Sequence, residues 1–227
     1  MKKFLDLLLS FIYPNKCISC GAIIDEGLNF CDYCISKLHR TEMDNFCTVC
    51  GNPKDKCKCK YAVYRFKASV APFLNKDSAK AALYAYKFAA KFRNLGFFAD
   101  QMANCAKEFY NEIEFDYICY VPTSYKSIYK YGFVHNKSLA KEISKRLNVP
   151  VSNALKCRLF RRSQHNSKYE QRKKNVIGKY YSKCDLSGAN ILLIDDIKTT
   201  GSSLDECTKE LLFSSAENVY CLTALIS

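Results

Sequence analysis

Two adjacent carboxylates, Asp195 and Asp196, directly follow four apolar residues in the stretch ILLIDDIKTTGSS, residues 191–203. The apolar run predicts a buried strand, and the two carboxylates stand where that strand ends. Paired carboxylates can accept hydrogen bonds from the two neighbouring hydroxyls of a furanose ring. The acid pair is therefore a candidate binding site for a ribose diol.

Small and hydroxyl-bearing residues follow the acid pair, at the point where a helix is predicted to begin. Gly201 allows a close approach of the backbone, and the free N–H groups that begin a helix attract anions. Hydroxyl side chains add further hydrogen-bond donors. We therefore predict that this loop binds a 5-phosphate, with these residues as ligands: Thr199, Thr200, Gly201, Ser202 and Ser203.

An ordinary strand–turn–helix with an aspartate as helix cap would contain some of the same residues. The complete run, in its expected context of strand and helix, favours a ligand site instead. Residues 191–203 resemble the signature of type I phosphoribosyltransferases that binds 5-phosphoribosyl-1-pyrophosphate (PRPP), a ligand that arrives with Mg²⁺. Lys198 departs from that signature, which has an aliphatic residue there. Its side chain could reach the ligand phosphates or, as is slightly favoured, point into solvent.

Eight of the fourteen cysteines form four closely spaced pairs near the start of the chain. This pattern of Cys-x-x-Cys and Cys-x-Cys pairs predicts structural zinc sites, in which protein thiolates fill every position and leave none open for a substrate. The first candidate site contains Cys17, Cys20, Cys31 and Cys34, and the second contains Cys47, Cys50, Cys57 and Cys59.

Redox-active or incidental thiols are the alternative interpretation of these pairs, but four ordered pairs argue against it. The segment that contains them has little hydrophobic periodicity, so it needs a metal to fold. Spacing alone leaves open whether one or two zinc ions bind and how the ligands pair. His39 could replace one ligand, although an ordinary surface histidine is the favoured interpretation.

Alternating strands and helices must position the acid pair. Strands are predicted at residues 117–121, 191–194 and 220–226, Asn136 could cap one intervening helix, and Gly96 could separate two earlier ones. This alternation predicts an α/β fold with a parallel sheet covered by helices, whose ligands bind at the carboxyl ends of the strands. We expect a sheet of the type I phosphoribosyltransferase kind in residues 61–227, and an N-terminal helix with a double zinc ribbon in residues 1–60.

The first thirteen residues are apolar after two lysines, which is also typical of a signal peptide. Asp6 interrupts the apolar run, and no small-x-small cleavage site precedes Pro14. The run is too short to span a bilayer, and its leucines follow helical spacing. We therefore expect a short amphipathic helix and a cytoplasmic protein, in which clustered cysteines bind metal rather than form disulfides.

The net charge of +13 is concentrated in residues 120–184, where sixteen Lys and Arg accompany only two acids. Such a concentration indicates polyanionic partners, although any single lysine is more simply a solvated surface residue. Interleaved tyrosines and phenylalanines suggest stacking on single-stranded DNA, or equally ordinary packing. Residues 161–174 could form a mobile flap. The candidates for pyrophosphate or DNA contacts are Lys87, Lys126, Lys130, Arg161, Arg162, Arg172 and Lys198.

A double zinc ribbon followed by a phosphoribosyltransferase-like domain resembles the ComF family, which is associated with DNA uptake in natural competence. The resemblance extends over nearly the whole chain. Lys87 matches a family lysine, and the stretch PTSYKSIYKYGF matches a family loop at Pro122, Lys126, Gly132 and Phe133. A later family pattern matches at Gln164, Arg172, Asn175 and Gly178.

The loop also departs from the family pattern, because Tyr129 and Tyr131 stand where arginine is usual and Val134–His135 replace Asn–Gln. These differences affect the expected pyrophosphate contacts. The resemblance implies several partners, namely PRPP or a related ribose 5-phosphate, single-stranded DNA, and a DNA-uptake helicase or recombination proteins.

Three functions remain open at this point. The favoured one is an accessory protein of DNA uptake that binds PRPP and single-stranded DNA. A phosphoribosyltransferase of nucleotide salvage would position reactants and stabilise charge, but the sequence contains no recognisable base-binding pocket and leaves turnover open. The third is a zinc-organised interaction protein with a regulatory ribose-phosphate site, and the intact acid pair argues against a vestigial one.

Overall fold

The computed structural model describes residues 14–42, 45–57, 59–60, 63–89, 92–123, 128–129, 134–158 and 176–227. The strands of these residues are β1 (Ala68–Val70), β2 (Phe73–Leu74), β3 (Tyr117–Tyr120), β4 (Leu155–Cys157), β5 (Tyr180–Ser182), β6 (Asn190–Lys198) and β7 (Asn218–Ile226). The helices are α1 (Asp32–Ser36), α2 (Asp77–Ala89), α3 (Phe92–Phe109), α4 (His135–Leu147) and α5 (Ser202–Phe213), with a 3₁₀ turn at Lys54–Lys56.

A parallel sheet in the order β1–β7–β6–β3 forms the centre of the fold, and β2 pairs with β7 beyond β1. Residues 191–194 of β6 are apolar and fully buried, as is typical of a parallel strand covered on both faces. Tyr120 lies in register with Ile194, so the carboxyl ends of β3 and β6 are neighbours. The predicted fold class, a parallel α/β sheet preceded by a small cysteine-rich module, is confirmed.

Alternate residues of β6 contact opposite layers of helices, because successive side chains of a strand point to opposite faces. Leu192 and Ile194 belong to the core that includes α2, α3 and α4. Ile191 and Leu193 belong to the core that includes α5 and Tyr180 of β5. The antiparallel hairpin of β4 and β5 lies outside the main sheet.

The first cysteine-rich segment packs directly on α3. Phe30 meets Phe97 edge to face, with ring centroids 5.1 Å apart. The buried Asn94 side chain donates hydrogen bonds to the carbonyl oxygens of Ile18 (3.0 Å) and Ala82 (2.8 Å). One amide thus joins this segment to α2, and the segment shares the main hydrophobic core.

Three local expectations differ from the structure. Val134 rather than Asn136 precedes the first turn of α4, and no side chain caps that helix. Gly96 lies inside α3 rather than between two helices. Strand β6 continues past the acid pair to Lys198.

The predicted N-terminal helix falls in residues 1–13, outside the described residues, and the boundary at residue 60 stays a prediction. In the described part of the chain, no helix is both long enough and apolar enough to cross a bilayer.

Candidate functional site

The acid pair lies near the carboxyl end of β6 and is largely buried. Asp195 is 9% exposed and Asp196 is 8% exposed. The Asn136 side-chain amide donates to Asp195 Oδ1 (2.8 Å) and to the carbonyl oxygen of Val121 (3.0 Å), just beyond β3. Asn136 therefore connects the ends of two neighbouring strands and orients the first carboxylate between them.

Two basic side chains from different helices contact the second carboxylate. Lys87 Nζ and His135 Nε2 each lie 2.7 Å from Asp196 Oδ2. Lys87 comes from the last turn of α2, and His135 is the first residue of α4. The Tyr86 hydroxyl donates to the His135 carbonyl oxygen (3.0 Å), which fixes the start of α4 against α2.

These surroundings drive the two carboxylates to opposite protonation states. Burial, followed by the charge of Asp196, raises the pKa of Asp195 to about 7. Burial would also raise the pKa of Asp196, but the hydrogen bond from His135 and the charge of Lys87 outweigh it and lower that pKa below its usual value. Near neutral pH the pair thus contains one firmly ionised carboxylate and one that titrates.

Replacing Asp195 with asparagine should stabilise the ligand-free protein at mildly alkaline pH. An unfolded aspartate loses its proton near its ordinary pKa, whereas folded Asp195 keeps it up to about pH 7. Between those values the folded state binds more protons, so the parent's free energy of unfolding falls as pH rises. The asparagine variant has no such loss, and its advantage at about pH 8 should reach roughly 1–4 kcal/mol.

Urea unfolding from about pH 5 to about pH 8, in the presence of zinc, measures this difference. The exposed substitution Asp25→Asn serves as control and should leave the pH profile of the parent unchanged. A constant difference between Asp195→Asn and parent over this range would contradict the raised pKa of Asp195.

The loop after β6 turns sharply into α5. Gly201 has a φ of 75°, in the left-handed region, and precedes the first residue of the helix. A Cβ atom at Gly201 would lie 3.1 Å from Tyr64 Cε1 and 3.3 Å from Lys198 Cε. The side chains of Tyr64 and Lys198 therefore pack closely against the loop. The Thr200 and Ser202 hydroxyls hydrogen-bond to each other at 2.9 Å. The Ser202 N–H also donates to Thr200 Oγ1 at 3.4 Å, so the hydroxyl pair lies at the N-terminus of α5, where helix N–H groups attract anions.

Lys198 takes neither of the two positions expected for it. Its side chain is 2% exposed, and its ammonium donates to the carbonyl oxygen of Cys50. Burial lowers the pKa of Lys198. In this structure the side chain points away from solvent and toward the second group of cysteines.

The two groups of four cysteines fit structural zinc. Within each group all sulfur atoms lie within 4.8 Å of one another. The Sγ atoms of Cys20 and Cys31 are 3.8 Å apart, and those of Cys47 and Cys59 are 3.7 Å apart. Four thiolates about 2.3 Å from a zinc ion occupy the corners of a tetrahedron with edges of this length. The ligand pairing is therefore sequential, Cys17 to Cys34 and then Cys47 to Cys59, without interleaving.

Several predicted basic contacts cannot be placed in the site. They lie outside the described residues: Lys126, Lys130, Arg161, Arg162 and Arg172. His39, considered as a zinc ligand, instead contacts Asp77 Oδ2 through Nε2 at 3.0 Å.

Sequence reasoning did not identify His135 and Asn136 as site residues. Both stand at the start of a helix that follows a strand adjacent to β6. Because the carboxyl ends of adjacent parallel strands meet at one edge, polar residues after β3 were the available signal.

Comparison with known protein families supports the prediction of zinc sites near the start of the chain. Residues 8–63 match the double zinc ribbon domain family. No curated protein matches the chain significantly.

Solved structures give only distant similarity. The allosteric regulatory enzyme of purine biosynthesis is 18% identical, with a TM-score of 0.40, over 57% of this chain and 25% of that one. The glutamine PRPP amidotransferase from B. subtilis is 17% identical (TM-score 0.39) over 64% and 27% of the two chains. A purine phosphoribosyltransferase from Pyrococcus horikoshii is 16% identical (TM-score 0.39) over 60% and 75%. This chain thus spans about a quarter of the first two proteins.

Proposed function

We propose that this protein binds PRPP with Mg²⁺ at the carboxyl end of β6 and acts in DNA uptake. One observation carries the ligand assignment. A buried acid pair, oriented by Asn136 and balanced by Lys87 and His135, is followed without interruption by a glycine loop and a helix N-terminus.

Each part of this arrangement suits one part of the ligand. Asp195 and Asp196 would accept the hydrogen bonds of the two ribose hydroxyls, and burial would strengthen those bonds. The backbone of residues 199–203 would receive the 5-phosphate. Lys87, which already faces the acid pair, would meet the negatively charged pyrophosphate. Mg²⁺, when bound, would neutralise part of the phosphate charge.

The assignment to DNA uptake rests on the basic segment of residues 120–184 and on the architecture of a double zinc ribbon before a parallel α/β sheet. Tyr129, within that segment, is 95% exposed. An exposed aromatic side chain amid excess positive charge suits a base stacked on it with its phosphates paired nearby. We propose single-stranded DNA as the second ligand.

Calorimetric titration of the zinc-loaded protein with PRPP and Mg²⁺ tests the ribose site. Saturable binding by the parent should be lost in the double variant Asp195→Asn/Asp196→Asn. The matched control is Asp25→Asn/Glu26→Gln, which removes the same charge from an adjacent, exposed acid pair and should bind like the parent. A folded, zinc-loaded parent that does not bind PRPP would refute the proposal.

A parent that binds PRPP can then be tested for turnover. Release of pyrophosphate with any of the common nucleobases would favour a salvage phosphoribosyltransferase over a binding protein. Binding without release would favour the accessory or regulatory role.

A further inference from the structure

The buried position of Lys198 needs a physical explanation. No carboxylate pairs with its ammonium in the described part of the chain, where its contacts are the Cys50 carbonyl oxygen and the Tyr64 ring, 5.6 Å from Nζ to the centroid. Removing an ammonium from water without a counter-charge costs several kcal/mol. A nearby negative charge would offset this cost and keep the ammonium protonated.

The second cysteine cluster supplies that charge when it holds zinc. A zinc ion bound by four thiolates keeps a net negative charge, because the thiolates outnumber the charges of the divalent cation. Cys50 takes part in both contacts, since its carbonyl accepts from Lys198 and its Sγ lies 3.8 Å from Cys57 Sγ. Lys198 thus contacts the backbone of one candidate zinc ligand, and its positive charge is near enough to interact with the thiolates of Cys47, Cys50 and Cys59.

The same lysine also contacts the loop proposed to bind the 5-phosphate, residues 199–203, which we call the phosphate loop. It directly precedes residues 199–203, and its Cε would lie 3.3 Å from a Cβ at Gly201. Its position in β6 is fixed by the Ser227 N–H, which donates to the Lys198 carbonyl oxygen at 3.0 Å. A shift of the Lys198 side chain would therefore displace Gly201, whereas the backbone of β6 would stay in place.

Tyr64 and Arg65 form a second connection between the second cysteine cluster and the phosphate loop. Tyr64, which follows the last cysteine of the cluster by five positions, approaches the Thr200 carbonyl oxygen through its hydroxyl at 3.5 Å. The neighbouring Arg65 backbone N–H donates to Asp205 in the first turn of α5 at 2.6 Å. The chain leaving the cluster thus covers the outer side of the phosphate loop.

We propose that Lys198 is a positioning residue through which zinc in the second cluster sets the shape of the phosphate loop. The effect on ligand binding rests on the proposed function, whereas the effect on zinc does not. Zinc bound at Cys47, Cys50, Cys57 and Cys59 holds the ammonium, and the lysine and Tyr64 together hold Gly201 in its binding conformation.

Lys198→Met tests this in the full-length, zinc-loaded protein, because methionine removes the charge and keeps a flexible chain. Zinc release to a chromogenic chelator should be at least about tenfold faster for one of the two ions. Cys57→Ser/Cys59→Ser, which retains only the first site, identifies that ion. The exposed Lys67→Met is the matched control and should release zinc like the parent. Release at the parent rate would overturn the inference.

PRPP affinity in the presence of Mg²⁺, measured by calorimetry, should fall about tenfold in Lys198→Met, equivalent to one lost hydrogen bond. Unchanged affinity alongside faster zinc release would overturn the link to the loop. A parent that binds no PRPP would refute the proposed function, while the zinc measurement would still decide whether Lys198 supports the cluster.

The parent itself provides a test that does not depend on how the variants fold. After release of the zinc ion held by the second cluster, amide hydrogen exchange of residues 199–203 should accelerate, and exchange in β3 should stay unchanged. Equal exchange in the loop before and after release would overturn the proposal.

Discussion

Cys34→Ser is expected to unfold most of the protein, not only the cysteine-rich module. Cys17 and Cys34 are 2% and 3% exposed and belong to the same core as α2 and α3. Structural zinc contributes about 10–16 kcal/mol to the folding of small zinc modules, as much as the whole stability of many domains. Losing that ion would expose Ile18 and Phe30, which pack with the core against α3.

Zinc content and thermal unfolding of three variants measure this effect. Cys34→Ser and Cys59→Ser should each lose one zinc ion, but only Cys34→Ser should lose a cooperative melting transition. Cys105→Ser controls for a buried hydroxyl, because Cys105 lies in the same core, on α3, and is not a candidate ligand. If Cys34→Ser lost its zinc and still melted like the parent, the first cluster would not support the core.

Lys87→Met should destabilise the protein by about 3–5 kcal/mol, the usual cost of removing one partner of a buried ion pair. Its ammonium lies 2.7 Å from Asp196, whose side chain is 12% exposed. Without it, two adjacent carboxylates share a buried site with only His135 as a basic partner among the described residues. Asp196→Asn should restore most of the loss in the same chain, because the uncompensated charge is then gone.

A double-mutant cycle in urea measures the interaction between the two residues. The interaction energy of Lys87 and Asp196 should exceed about 1 kcal/mol. Lys80→Met, on an exposed position of the same helix, should show no interaction with Asp196→Asn. Additive effects of Lys87→Met and Asp196→Asn would mean that the ion pair contributes nothing to stability.

The sequence could predict those parts of the fold and the site that depend on short-range patterns. The apolar run of β6, the following α5 and the cysteine pairs all lie within a few residues of their partners, and the structure has them at the expected places. The surroundings of the acid pair were harder, because α2 and α4 contribute to them from distant parts of the chain. Lys87 was named only from the family resemblance. Its ion pair with Asp196 joins residues that are 109 positions apart in the sequence, so no local pattern could predict it.

Local rules failed where a tertiary contact competed with them. Asn136 has the side chain of a good helix cap, but its amide binds Asp195 and Val121 instead. A glycine inside a helix costs only about 1 kcal/mol, so α3 runs through Gly96 while its buried side chains pack on the core. Lys198 looked like a solvated lysine because its contact, the Cys50 carbonyl oxygen, lies 148 positions earlier.

The central position of β7 has a consequence for the order of folding. Ala68 of β1 pairs with Tyr220 of β7, 152 positions away, whereas the first cysteine cluster closes over 17 positions. Closing the longer loop costs about 2 kcal/mol more in chain entropy, and contacts between distant residues form slowly. We therefore expect the first cluster to bind its metal before the sheet is complete. A chain whose first cluster lacks zinc would therefore stop at an incompletely folded stage, whereas loss of zinc from the second cluster alone would leave a folded molecule.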